Sequence, residues 1–159
     1  MKFVVDEMLG RSARWLRLLG CEVKYFKASD DKYLEIAEKE DRILLTRDLE
    51  LFHRAKSRGL EAFYVEGEDE AEKLANISRR FNIKLEINTL VSRCPKCNSI
   101  IKRVGKVVVL NNVPKRAFEH YDEFWLCLGC GKIYWQGGHW KKINETLARA
   151  QELLKTKMS

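Results

Sequence analysis

Ile43-Leu44-Leu45-Thr46-Arg47-Asp48-Leu49-Glu50-Leu51-Phe52 puts a strand, a turn and the start of a helix into one short run. Ile43–Thr46 is apolar without alternation, as in a strand covered on both faces. An acid follows the strand at once, and Leu49–Arg58 continues with helical periodicity. The unit recurs. Lys2–Val5, Val23–Phe26 and Ala62–Val65 read as further strands, and Leu9–Leu19, Leu34–Glu40 and Glu70–Phe81 as helices. Strand alternating with helix at this spacing predicts an α/β fold with a parallel sheet flanked by helices. Right-handed crossovers then bring every strand's C-terminal end to one edge.

Acids fall just beyond those ends: Asp6 with Glu7 beside it, Asp31 with Asp30 beside it, and Asp48. In an open parallel sheet, sites form in the crevice past this edge. Clustered carboxylates repel one another unless a cation neutralises them. Oxygen-only ligand sets suit Mg2+ or Mn2+, which can activate water against a phosphodiester. Each acid also has a structural role open to it. Asp31 and Asp48 would cap the helices that follow, with Asp30 an equal alternative to Asp31, and Asp6 would accept backbone hydrogen bonds. Arg11, Arg14 and Arg17 recur along the first helix. Arg11 and Arg14 are candidate phosphate contacts, and Arg17 reads as part of a solvated face. Arg47 is a candidate for phosphate or for pairing with a neighbouring acid.

The second half has another style. Cys94-Pro95-Lys96-Cys97 and Cys127-Leu128-Gly129-Cys130 have the spacing at which paired thiolates reach one tetrahedral ion. Asn98 and Gly131, which follow the pairs, tolerate the left-handed backbone of a metal knuckle. Structural zinc on Cys94, Cys97, Cys127 and Cys130 is the expectation, against a disulfide framework of the secreted kind. Cys21, the odd cysteine, reads as a small buried apolar residue. Residues 100–110 read as strands broken at Gly105, and Phe124–Leu126 and Lys132–Trp135 as short strands. An inserted hairpin or loop is expected around Asn111–Glu123, because 29 residues separate Cys97 from Cys127. These strands and knuckles have the organisation of a zinc ribbon. From Lys141 a helix is expected, with Ile143, Leu147, Ala150 and Leu154 on one stripe, packed on the ribbon or on the first domain. The division falls at residues 1–90 and 91–159.

Charge divides the same way. The net charge is +7; residues 1–91 carry 17 Lys and Arg against 18 Asp and Glu, and residues 92–159 carry 13 against 5. A basic module with aromatic residues is the footprint of a nucleic-acid binder. No apolar run approaches a membrane span, and the start turns acidic too quickly for a signal peptide. Thiols reserved for metal then point to a cytoplasmic protein.

Asp6-Glu7-Met8-Leu9-Gly10-Arg11, Ala13-Arg14-Trp15-Leu16-Arg17-Leu18-Leu19-Gly20, the Asp31–Ala37 segment and Leu44-Leu45-Thr46-Arg47-Asp48 resemble the PIN-like ribonucleases. More narrowly they are similar to the group named after the C-terminal RNase domain of the mutator-seven exonuclease. That group appends a four-cysteine ribbon, matched here by Ser92–Asn98, Cys127–Trp135 and Gly138-His139-Trp140. The resemblance implies a PIN fold and RNA hydrolysis with Mg2+ or Mn2+ held by Asp6, Asp31 and Asp48, with Glu7 a weaker fourth. Its Asp-x-x-Leu register favours Asp31 over Asp30. A late acid of larger PIN nucleases has no motif here, only the run Glu66, Glu68, Asp69 and Glu70. Tyr134, Trp135, His139 and Trp140 beside the second knuckle would stack or contact single-stranded RNA; as ribbon residues they would also serve as packing.

The expectation is a metal-dependent ribonuclease with an RNA-binding zinc ribbon. The alternatives are a non-catalytic RNA-binding protein and a phosphate-accepting receiver domain. The receiver needs a fifth strand and a lysine near its end, and neither is found before the ribbon.

Overall fold

The computed structural model describes residues 1–156. Four strands, β1 (Lys2–Val5), β2 (Glu22–Tyr25), β3 (Ile43–Thr46) and β4 (Ala62–Tyr64), form a wholly parallel sheet in the order β2-β1-β3-β4. The crossovers are α1 (Gly10–Leu18), α2 (Asp30–Lys39) and α3 (Leu49–Ser57), and α4 (Glu70–Phe81) follows β4. Alternate residues of β1 enter opposite layers. Phe3 and Val5 pack with Leu9, Leu16 and Ile77 of the α1–α4 layer, and Val4 packs with Leu34, Leu44 and Leu51 of the α2–α3 layer. Burial on both faces is why β1 and β3 lack an alternating pattern, whereas the edge strand β2 alternates.

The second half contains a three-stranded antiparallel sheet of β5 (Ile101–Val104), β6 (Phe124–Cys127) and β7 (Ile133–Tyr134). Two expectations are corrected here. Residues beyond Gly105 are not a strand: Lys106–Val109 is a 3-10 turn in which only Val109 is buried. The inserted segment is not a hairpin but carries a short helix, α5 (Lys115–His120), which Pro114 introduces. A proline entering the first turn has no amide hydrogen to lose there.

The last helix, α6 (Trp140–Thr156), lies on the first sheet's outer helix. Its stripe of Ile143, Leu147, Ala150 and Leu154 meets Leu19, Ala71, Leu74 and Leu85. Arg149 of α6 also pairs with Asp69, the N-cap of α4. Among the described residues no helix is long and apolar enough to cross a membrane.

Candidate functional site

The connection out of β1 runs towards β2 and that out of β3 towards β4, so the strand order reverses between β1 and β3. A crevice opens at such a reversal. Asp6 leaves β1 there, and Asp48 leaves β3 there. Asp6 is 4% exposed. Its Oδ1 accepts from the Met8 amide at 2.8 Å, and its Oδ2 accepts from the Arg47 amide at 3.1 Å and from the Thr46 hydroxyl. Thr46 Oγ1 in turn accepts the Asp48 amide at 2.9 Å. One hydroxyl therefore links the Asp6 carboxylate to the Asp48 backbone amide. Asp48 caps α3, its Oδ1 accepting from Glu50 and Leu51 at 2.9 and 3.2 Å.

Asp30 and Asp31 occupy the first turn of α2, but neither caps it. The cap is Ser29, whose hydroxyl accepts from the Lys32 amide. Asp31 is exposed and bonded to Arg54, which lowers its pKa. Asp30 is more enclosed. Burial raises its pKa first, and the charge of Asp48 raises it further against the opposing pull of Arg54. Of the two neighbours, Asp30 is the one that feels Asp48. Glu7 is exposed, and its carbonyl accepts from Tyr25 Oη at 2.8 Å. Gly10 has to be bare for this contact, since a Cβ there would lie 2.7 Å from that oxygen.

Arg47 does not pair with an acid. Its Nη1 donates to the carbonyls of Val65 at 2.7 Å and Gly67 at 3.3 Å, and the guanidinium lies over Tyr64. Arg11 and Arg14 are exposed on α1. An open cleft of about 550 Å3 beside the edge is lined by Glu7, Arg11, Tyr25, Glu68 and Glu70. Within the late acidic run, Asp69 is a helix cap, and Glu70 accepts from the buried Ser12 hydroxyl at 2.9 Å. Thr46 and Arg54 were not singled out from the sequence. The one available signal was Thr46 standing two residues before Asp48 at a strand end.

The second site is the cysteine quartet. Its four Sγ atoms all lie within 4.8 Å of one another, the sole such group of three or more His, Cys, Asp or Glu ligands among the described residues. Asp6, Asp31 and Asp48 thus form no preassembled three-carboxylate cage. Cys94–Cys130 and Cys97–Cys127 are 3.8 and 3.3 Å apart, close to the roughly 3.8 Å edge of a tetrahedron with zinc–sulfur bonds near 2.3 Å. Both knuckles are built alike. Asn98 and Gly131 have φ of 73° and 77°, and their amides return to the carbonyls of Cys94 and Cys127. The amides of Gly129 and Cys130 point at Cys127 Sγ, both at 3.3 Å. Bonds from Ser99 hold the Cys97 thiol down at about 6, while burial pushes Cys127 up to about 12. A divalent cation would draw the proton from both. The donor set fits a zinc ion.

Tyr134 Oη reaches Cys94 Sγ at 2.9 Å, and burial raises the phenol's pKa, with Cys94 adding to the rise. Trp135 packs on Phe124. His139 is exposed, and its carbonyl receives the Ile143 amide at the start of α6. Trp140 is half-buried and opens that helix. Arg17 corrects the sequence reading. It is not solvated but 6% exposed, held between the two halves. Its Nε and Nη2 bind the Val23 carbonyl, and its Nη1 binds the Pro95 carbonyl of the first knuckle.

A parallel sheet with acids at its switch point, joined to a four-cysteine centre, defines an α/β protein with two separate candidate sites. The chain belongs to the Mut7-C RNAse domain family, which it matches over residues 1–147. No curated protein and no solved structure matches the chain.

Proposed function

We propose that this protein is a PIN-like, metal-dependent ribonuclease, with residues 1–90 carrying the chemistry and residues 91–159 a zinc ribbon that binds RNA. One observation carries the reading: in a chain of the Mut7-C RNAse domain family, Asp6 and Asp48 meet through Thr46 at the sheet's switch point. Asp48 and Asp30 would hold Mg2+ or Mn2+, with Asp6 behind them, Asp31 at the outer rim and Glu7 on the cleft wall. Such an ion binds through one or two carboxylates plus substrate phosphate, so a three-carboxylate cage is not required. When bound, it would polarise the phosphate and activate water. Asp6 orients the Thr46–Asp48 turn, and Arg11 and Arg14 attract the strand. The quartet would hold zinc as a closed structural site that stabilises the ribbon.

The experiment is hydrolysis of labelled single-stranded RNA with and without Mn2+. Cleavage that needs the ion and is lost in Asp48→Asn supports the proposal. Asparagine caps helices as well as aspartate does, so the fold survives that change. Metal-independent cleavage, or full activity in Asp48→Asn, overturns the assignment. A second reading, RNA binding without turnover, is favoured by one feature: Asp6 and Asp31 are already committed to protein donors. Salt-dependent binding with no product under any divalent ion would establish it.

A further inference from the structure

A cavity of about 560 Å3 lies where the ribbon meets the end of α1 and the start of α6. We infer that it takes one unpaired base of a single-stranded RNA whose backbone follows α1 towards the acidic edge. The inference rests on the RNA reading above and adds to it the form of the substrate and its register.

The cavity's size falls among ligand pockets, which span roughly 300–1,000 Å3. Its walls are aromatic. Of the chain's four tryptophans, Trp125, Trp135 and Trp140 line it, together with Tyr134. Gly137 keeps its place for the same reason, since a Cβ there would come 2.9 Å from the Trp135 indole nitrogen. No carboxylate lines the cavity, whereas Lys132 stands over the Tyr134 ring and His139 lies on the wall. Flat π-surfaces with positive charge and no negative charge suit a planar base attached to phosphate. Bases of an A-form duplex are stacked inside the helix and cannot enter, so the strand must be unpaired.

The register comes from α1. Leu18 borders the cavity, and Arg14 and Arg11 precede it by four and seven residues, on one helix face. Arg11 also lines the cleft beside Glu7. Seven residues of helix cover roughly 11 Å, about three phosphate spacings of a stacked strand. A base held in the pocket therefore places the phosphate beside Arg11 roughly two to four nucleotides away, with the scissile bond at or beyond it.

The test uses the zinc-loaded Asp48→Asn protein and a short single-stranded oligoadenylate, read by tryptophan fluorescence. Saturable quenching is expected, weakened about tenfold or more in Trp140→Ala and largely restored in Trp140→Phe. A duplex of the same length should quench far less. Equal quenching by the duplex, or undiminished affinity in Trp140→Ala with zinc content intact, overturns the inference. Should Trp140→Ala fail to fold, 4-thiouridine RNA crosslinked to the unaltered chain decides. Crosslinks within residues 132–140 support the pocket, and crosslinks confined to other segments overturn it. Binding and crosslinking without hydrolysis would leave the pocket standing and remove the nuclease. Hydrolysis with unchanged KM and product lengths in Trp140→Ala would do the reverse.

Discussion

Arg17 Nη1 donates to the Pro95 carbonyl at 2.7 Å, joining the last turn of α1 to the first cysteine knuckle. The same guanidinium holds the Val23 carbonyl on β2, the edge strand of the parallel sheet. Asn98, inside the knuckle turn, accepts the Val23 amide at 2.9 Å. Arg93 and Ser92 donate to the carbonyls of Arg17 and Leu18. The knuckle thereby covers part of a strand edge that would otherwise present unpaired polar groups. Arg17→Met should cost about 2–4 kcal/mol, because the buried Val23 carbonyl and the half-buried Pro95 carbonyl lose their donor. Thermal unfolding with zinc bound measures it. Arg17→Lys should recover only part, since an ammonium lacks the planar fork. A loss near zero would mean that the junction carries no stability.

Because the knuckle is part of that junction, removing metal should destabilise the first domain as well. One zinc per chain is expected by elemental analysis, reduced sharply in Cys127→Ser. A chelator should lower the melting temperature of the whole chain. Cys21→Ala should keep full zinc content, since that thiol is buried and pushed up to about 11. Unchanged melting after zinc removal would separate the ribbon energetically from the sheet.

Gly129 gives a sharper check of the quartet. A Cβ at this position would stand 2.1 Å from Ser99 Oγ and 2.7 Å from Ser99 Cβ. Rotating the hydroxyl relieves only the first clash. Gly129→Ala should weaken zinc about 10- to 100-fold in competition with a chelating dye. The double variant Gly129→Ala/Ser99→Gly should regain most of it. Additive losses in the double variant would rule out this contact as the cause.

Asp30 should trade stability against function. Its pKa is raised, by burial first and by Asp48 next. A carboxylate with a folded pKa above its unfolded value destabilises the fold while ionised. That cost is fully present above the folded pKa and fades as pH falls through it towards the unfolded value. Asp30→Asn should therefore melt slightly higher at pH 7, with the gain disappearing under acid conditions, and should lose RNA hydrolysis. Asp31→Asn should do the opposite at pH 7. It removes a carboxylate whose pKa is lowered by Arg54, a contribution present above the unfolded pKa and lost as pH falls through the folded one. Hydrolysis that survives in Asp30→Asn but not in Asp31→Asn would reverse the assignment.

Asp6 is the wrong residue for a clean test of catalysis. It accepts from the Met8 and Arg47 amides and from Thr46, so Asp6→Asn replaces an accepting oxygen with a donating NH2. A loss of about 1–3 kcal/mol is expected in denaturant unfolding, whatever happens to hydrolysis. Asp48→Asn should unfold almost as the parent does.

Much of this architecture was legible because its causes are local. Unbroken apolar runs set β1 and β3, and helical spacing set the α4 boundaries. The C-x-x-C pairs, with Asn98 and Gly131 in the left-handed turns, announced the knuckles, since the backbone demand falls on the very residue that meets it. Gly105 misled. Val107-Val108-Val109 reads as a strand on propensity, yet with no partner strand the segment closes as a 3-10 turn and leaves Val107 exposed.

What only the assembled chain decides is where each charged group points. Arg11, Arg14 and Arg17 have the same chemistry and spacing on one helix. The last is buried because the knuckle, 78 residues away, lands on it. Asp30 and Asp31 sit side by side on α2, about 100° apart around its axis. The packing of α2 over the sheet partly encloses Asp30, which feels the charge of Asp48 as well as Arg54, and leaves Asp31 exposed with Arg54 as its partner. Sequence determines which groups are available and the backbone shapes nearby residues require. Which groups meet depends on contacts between distant segments, and those exist only once the layers have packed.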